Sequence, residues 1–471
     1  MNIIPVNIVS ALNNYNSIVP IVTKDLVENG GRTLMAYHSA GEKTKKYEAT
    51  EKFVEANMAS LLWYGAIPFT KKLFNLTAFK AFKFNPEISL EYLKKGEQNI
   101  NSVIEKVNNG NLPEEILKKG KKVNVLTTLN KIANNAKKYK GLHISRMLIS
   151  TIIPTVLSAV VLPKAIIALT QYKVDSDSKK SLPEMKSPKN KIYFKSFSDF
   201  KAHKNKNVSF KSLGSALLEK ATQAQTSLLG DMVAVDLAIS GSRIYYANKR
   251  EKEALNGKKT KVPFAAGLEK LIREGGFLYL IYFGGNHIKN CIDKFTKNNF
   301  DPIILEDKNF VNELKNGKFT NNPLKMLSKS ESIEFIDKNI GNDNSVFIKY
   351  AKKLKLIEIV KDSNGKVFRN PFKYINLEKL SAHFDLMSES ASEFLKKGGE
   401  NLEKYVLKKA KTKRLGVFAN LIASSFAVCY VLPKITYGFR KWYTGNSEEP
   451  GIINVISSSA SKEDKSNTQA K

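Results

Sequence analysis

Two stretches of the chain carry the same acid and base at the same interval. Residues 25–36 read DLVENGGRTLMA and residues 236–247 read DLAISGSRIYYA, so Asp25 precedes Arg32 as Asp236 precedes Arg243. A further carboxylate, Asp231, stands in the apolar run leading to Asp236. A charge in apolar surroundings is costly unless it is paired, and within a bilayer such groups are paired or functional. On a helix, Asp236 and Arg243 would share a face but stand about 10.5 Å apart along the axis. That is too far for a direct pair within one copy. The spacing therefore predicts pairs between copies, Asp25 with Arg243 and Asp236 with Arg32. The plainer alternative is that each group is solvated on the polar face of an amphipathic helix.

Other chemistry is hard to assemble. The loops GEKTK at Gly41 and GKKTK at Gly257 echo a phosphate loop, but the Lys-Thr stands one residue too far from the glycine and the earlier glycine is missing. The five histidines are scattered, with no zinc spacing, and no nucleophile elbow or Cys–His pattern is present. We expect no cofactor, no metal and no catalytic activity. Two cysteines, Cys291 and Cys429, cannot frame a disulfide-stapled fold. The first twenty residues lack a basic leader and a cleavage site, so no cleaved signal peptide is expected.

The formal net charge of +32 favours anionic partners. Of the 76 basic residues only eight are arginine, the side chain that reads phosphates and bases bidentately. An anionic lipid surface is the expected partner, and nucleic acid is the less favoured one.

The elements that must position these residues are apolar. Residues 415–433 hold no charge and would form a helix about 28 Å long, close to a bilayer core of about 30 Å. Lys411, Lys413 and Arg414 precede it; Lys434, Arg440, Lys441 and Trp442 follow, as interfacial anchors would. A second run, 147–171, is interrupted only by Lys164, whose stem could snorkel. Shorter runs cover 56–70 and 275–288.

The two acid–base stretches belong to a longer series of matches. Asp25 and Asp236 are 211 residues apart, the GxKTK loops 216, the segments led by Glu51 and Glu269 218, and the VLPK sites at Pro163 and Pro433 270. The order is the same in both halves and the spacing only grows, which predicts an internal duplication. The units span 1–172 and 221–445, joined by a polar linker, 173–220, that contains two Phe-Lys-Ser triplets. With an even number of apolar helices per unit, the copies would be related by a parallel pseudo-two-fold. The second unit is longer, and its excess reads as an α+β insert near 296–380, with a hairpin turning at Asn364-Gly365. A charged helix then breaks at Gly398-Gly399, each proline of the VLPK sites ends or kinks its helix, and residues 446–471 read as disordered.

The GxRTxxAY pattern near the start and VLPKITYGFRKWYTG at 431–445 resemble an uncharacterised bacterial family of Lys-rich, membrane-associated proteins. That resemblance implies membrane association, in a bacterial inner membrane, and carries no activity or site residue. The expected fold is a mostly α, internally duplicated helical membrane protein with a small α+β insert in the second half. The expected function is a non-enzymatic scaffold or anchor at an anionic membrane surface. The alternatives are a small parallel-repeat transporter or channel, and a membrane-tethered nucleic-acid binder.

Overall fold

A computed structural model describes residues 5–14, 19–180, 236–246 and 262–445, apart from 119, 238, 343 and 344, with isolated positions 447, 448, 452 and 456 beyond. Most of the linker, Asp231, the second GxKTK loop and most of the tail lie outside the described residues.

The chain is mostly helical. The first half runs α1 (Val6–Asn13), α2 (Val19–Ser39), α3 (Lys45–Leu61), α4 (Ile67–Phe74), α5 (Ile100–Asn108), β1 (Glu115–Lys118), β2 (Lys121–Asn124), α6 (Val125–Ala133), α7 (Ala136–Val156) and α8 (Leu162–Lys180). The second half holds the helical residues 236–246, then α9 (Val262–Tyr279), α10 (Gly285–Thr296), α11 (Pro302–Leu305), α12 (Phe310–Lys315), α13 (Lys329–Asn339), α14 (Val346–Lys353), β3 (Ile359–Lys361), β4 (Val367–Arg369), α15 (Leu377–Gly398), α16 (Leu402–Phe426) and α17 (Leu432–Thr444). Local signals set many of the starts. Asn99, Asn124 and Asn376 cap α5, α6 and α15, each accepting a backbone N–H three residues on, and Ser328 and Glu331 form a reciprocal capping box on α13.

The VLPK prolines do not end their helices. A π-turn at Leu157–Val161 carries α7 into α8, and another at Ala427–Val431 carries α16 into α17. Pro163 and Pro433 have no N–H, and their rings crowd the carbonyl four residues back. An i to i−5 bond, Leu162 N–H to Leu157 O and Leu432 N–H to Ala427 O, absorbs the mismatch. The same device precedes Pro68, at Leu62–Ala66, and recurs at Leu280–Gly284 without a proline. These turns are 218 residues apart in the shorter-run helices and 270 apart in the longer ones, the intervals of the sequence matches.

Packing follows two opposite rules. Near α5, α6 and α7 one apolar core forms around Val103, Val107, Leu129 and Tyr139; between α10 and α16 a larger one forms around Phe300, Phe310, Ile336, Phe384 and Phe394. In both, the apolar side chains are inside. In the bundle of α2, α3, residues 236–246, α9 and the ends of α7, α8, α16 and α17, a small apolar cluster that includes Ile21, Ile239, Phe277, Ile281 and Val428 is buried, but many large apolar side chains point outward. Leu26 is 65% exposed and Ile422 is 68% exposed, with Leu34, Leu61, Ile152, Phe264 and Phe426 also outside. Lys24, Glu28, Glu48, Ser150, Glu274 and Ser424 are inside instead. The helical stretches Ala136–Asp177 and Leu377–Thr444 are long and apolar enough to cross a membrane, and their most apolar windows are only 22% and 33% buried.

The expected hairpin is present: β3 pairs β4 antiparallel, with Val360 opposite Phe368 and Gly365 at φ +81 in the turn. An α+β element is not confined to the second half, however. β1 pairs β2 in a hairpin of the first half, turning at Gly120 with φ +75. Its short strands, EILK and KKVN, set Ile116 beside Leu117 and Lys121 beside Lys122, which hides the alternation that marks a strand. The second hairpin is also knitted to the first half rather than standing apart. Phe372 lies in the first apolar core, Tyr92 donates to Lys373 O at 2.6 Å, and Gln98 donates to Ile375 O at 2.9 Å. The charged helix breaks at Gly399 as expected, at φ +46.

Candidate functional site

α2 turns a polar stripe inward: Lys24, Asp25, Glu28, Asn29 and Arg32 recur at helical spacing on the side opposite Leu26 and Leu34. Glycine lets this stripe approach its neighbour. A Cβ on Gly31 would stand 2.5 Å from Cys429 Sγ, so α2 meets the π-turn of 427–431 at a distance no larger residue permits.

Facing this stripe are α3, the helical residues 236–246 and α9. Asp25 accepts hydrogen bonds from Ser60 Oγ at 2.5 Å and Tyr64 OH at 3.0 Å, while Asn29 donates to Ser60 at 2.9 Å. Asp236 accepts from Tyr282 OH at 2.6 Å. Arg243 reaches Glu55 at 2.7 Å and Glu274 at 2.6 Å. Arg32 lies 3.9 Å from Glu274 and over the Phe277 ring at 4.2 Å; Arg273 completes the set at 3.4 Å from Glu274. Asp25, Asn29, Arg32, Asp236, Arg243 and Glu274 all line one cavity of about 10 Å³, room for about one water.

The structure thus brings Asp25, Arg32, Asp236 and Arg243 together, but not in the expected pairs. The arginines do reach across halves, to glutamates: Arg243 to Glu55 of the first half, Arg32 towards Glu274 of the second. Each aspartate is taken by a tyrosine hydroxyl of its own half. Glu55 and Glu274 have the longer side chains and sit beside the guanidinium groups. The sequence reading missed Glu55, Glu274, Tyr64 and Tyr282. The two tyrosines carried a signal, because Tyr64 and Tyr282 are themselves 218 residues apart within the matched segments. Glu28 is fully buried, and among the described residues neither of its carboxylate oxygens has a hydrogen-bond partner.

No family model, curated protein or solved structure matches this chain. The site is therefore interpreted on its own geometry.

A second buried network lies one layer away. Arg440 was expected at a membrane interface, yet it is only 1% exposed. Its Nη1 meets Glu48 at 2.8 and 3.0 Å, and its Nε and Nη2 meet Glu269 at 3.1 and 2.7 Å. Tyr437 and Tyr443 add hydroxyls to the same two carboxylates, each at 2.8 Å. One guanidinium thus clamps α3 to α9, satisfying both acids bidentately. In the matching place of the first half, Thr170 donates to Glu51. Thr170 precedes Arg440 by 270 residues, and Glu51 precedes Glu269 by 218. Lys413 also departs from the expected anchoring flank: it is buried against Asp293 and donates to Asn298 O at 3.0 Å. Lys164, Lys434, Lys441 and Trp442 do face outward, Trp442 at 79%.

The Asn364-Gly365 hairpin is tied to the rest of the fold on one side, while Ile359 and Lys361 stay exposed. Val360 packs on the first apolar core, and Arg369 holds Asp337 at 2.7 and 3.3 Å with the Tyr92 hydroxyl at 3.4 Å.

Proposed function

We propose that this chain is a non-enzymatic integral membrane protein whose bundle lies in the bilayer and whose lysine-rich modules are held at an anionic membrane surface. One observation carries the reading: beside a small buried apolar cluster, the bundle helices turn charged and polar side chains inward and expose many large apolar ones, while the two modules attached to them keep their large apolar side chains inside. In water an apolar outer face of that extent would be costly; against lipid it is the favourable arrangement. The charge of +32 supports the surface role, since each lysine near an anionic leaflet contributes about 1 kcal/mol. On this reading the chain is an anchor or scaffold, and it arose by internal duplication. The recurrence of π-turns, of the Asp–Tyr pairs and of the Glu51/Thr170 and Glu269/Arg440 contacts at matched intervals supports the duplication. Alkaline carbonate extraction of a membrane fraction tests the core claim. The protein should stay with the pellet; recovery in the soluble fraction would end the integral-membrane reading.

A second reading, a small parallel-repeat transporter or channel, is favoured by the cavity that both halves line and by the buried carboxylate of Glu28 on the same inward stripe of α2. Ion or solute flux in liposomes that Asp236→Asn abolishes would displace the anchor. Absence of flux above protein-free liposomes leaves the anchor standing.

A further inference from the structure

We propose that a pocket at the rim of the bundle binds the phosphate group of an anionic phospholipid, an inference that rests on the membrane reading. The pocket encloses about 450 Å³, within the usual size of ligand sites, and both halves build it. α4 supplies Lys71, the π-turn after it supplies Asn75, α7 supplies His143 and Arg146, and the segment after β4 supplies Lys373 and Tyr374. Glu87 and Glu91 line it too, and Glu87 pairs with Lys118. Lys373 lies 3.7 Å from Glu358. With those two partners included, the site holds four cations and three carboxylates.

The decisive feature is how Arg146 is held. Its Nη2 stands 2.9 Å from His143 Nδ1, and its Nη1 donates to Asn75 Oδ1 at 3.1 Å. A guanidinium has donors only, so Nδ1 must accept, and the neutral ring carries its proton on Nε2. Both of these partners are neutral, so they fix the guanidinium at the pocket wall without cancelling its charge. Phosphate offers several acceptor oxygens together with a negative charge that Lys71, Arg146 and Lys373 favour.

A lipid fits better than a free anion because of what adjoins the pocket. Met147 is in its wall, and Leu73, Leu148 and Ile149 on the same two helices point outward beside it, where acyl chains would run. Arg146 is also the last charge before the long apolar run of α7.

The test uses the full chain in detergent, titrated with dioctanoyl phosphatidylglycerol, dioctanoyl phosphatidylcholine or inorganic phosphate, and read by native mass spectrometry. The wild type should bind one phosphatidylglycerol about tenfold more tightly than phosphatidylcholine. A Lys71→Glu/Lys373→Glu variant should lose about tenfold in that affinity, whereas Lys72→Glu/Lys80→Glu, an equal charge change outside the lining, should stay within about twofold. Lys373→Met serves if the double lining variant does not fold, and should lose about threefold. Equal losses for Lys72→Glu/Lys80→Glu would replace the site by a diffuse field. No loss in the lining variants, or equal binding of phosphatidylcholine, overturns the proposal. Inorganic phosphate binding as tightly as the lipid overturns the lipid assignment alone. Failure of the membrane reading shows separately, as a chain that stays soluble without detergent.

Discussion

Arg440→Leu separates a buried clamp from an interfacial anchor. An arginine snorkelling at a headgroup surface can be replaced by leucine at a cost below about 1 kcal/mol, because no partner is stranded. In the structure the same change leaves Glu48 and Glu269 buried without their cation. Removing one member of a buried ion pair costs about 3–5 kcal/mol, most of it the penalty of the charge left behind. Taking about 2–4 °C per kcal/mol for a large chain, the melting temperature in detergent should fall by about 6–20 °C. If the stranded acids are the cause, neutralising them must restore stability. Arg440→Leu/Glu48→Gln/Glu269→Gln should recover at least half of the loss, far from additive behaviour. Tyr437 and Tyr443 can each donate to a glutamine oxygen, which keeps the triple variant satisfied. A drop under about 2 °C for Arg440→Leu would refute the clamp. A large drop with no recovery in the triple variant would show that lost packing, not stranded charge, is responsible.

The central cluster makes a contrasting pair of predictions. A double-mutant cycle on Arg243→Gln and Glu274→Gln should give a coupling of at least about 1.5 kcal/mol, whereas Arg32→Gln and Asp236→Asn should couple by less than about 0.5 kcal/mol, because the aspartate belongs to Tyr282; thermal melts in detergent measure both. Lysine placed on the outward face, at Leu26 or Ile422, should reduce membrane insertion by about 2.5–3.5 kcal/mol if those positions face lipid, and should be neutral within about 0.5 kcal/mol if they face water; glycosylation-mapped insertion reads the difference. In the second module, partial burial works against ionisation of Asp307, but the Asn309 N–H, Lys353 and Lys349 outweigh it and hold the carboxyl below its ordinary 3.8. A depressed folded value adds stability above the unfolded value and loses it as pH falls through the folded one. The advantage of wild type over Asp307→Asn should therefore be full at pH 5 to 7 and shrink as pH falls below about 3.8, followed by urea unfolding at each pH. An advantage that does not change with pH would mean that the carboxylate charge contributes nothing there.

Much of the scaffold was legible because it depends on local signals. Apolar runs at 147–171 and 415–433 became helices, Asn364-Gly365 made a turn, and Gly398-Gly399 broke one helix from the next. The cluster was half legible: repetition marked Asp25, Arg32, Asp236 and Arg243 as a group, but who pairs with whom depends on side-chain reach across α3 and α9. Arg440 was misread for a related reason. It sits among Lys434, Lys441 and Trp442, which do face outward, and only the helix phase of α17 against Glu48 and Glu269 singles it out.

What periodicity could not supply is the sign of an amphipathic helix. In α15, Leu380, Phe384, Met387, Ala391 and Phe394 recur on one face and point inward; in α2, Leu26 and Leu34 recur in the same way and point outward. The pattern is the same, and only the surroundings differ. Apolar faces turn inward where water is outside, and polar faces turn inward where hydrogen-bonded partners are inside and the exterior is apolar. On the bilayer reading the change of sign along one chain marks a change of solvent. It occurs near Arg146 in the first half and near Lys413 and Arg414 in the second, tied cations that precede the outward apolar runs of α7 and α16. On the bilayer reading those two positions lie at the same membrane depth. A depth-dependent quencher should then protect spin labels at Leu148 and Leu415 to a similar degree, and clearly different accessibilities would break the link between inverted packing and the membrane.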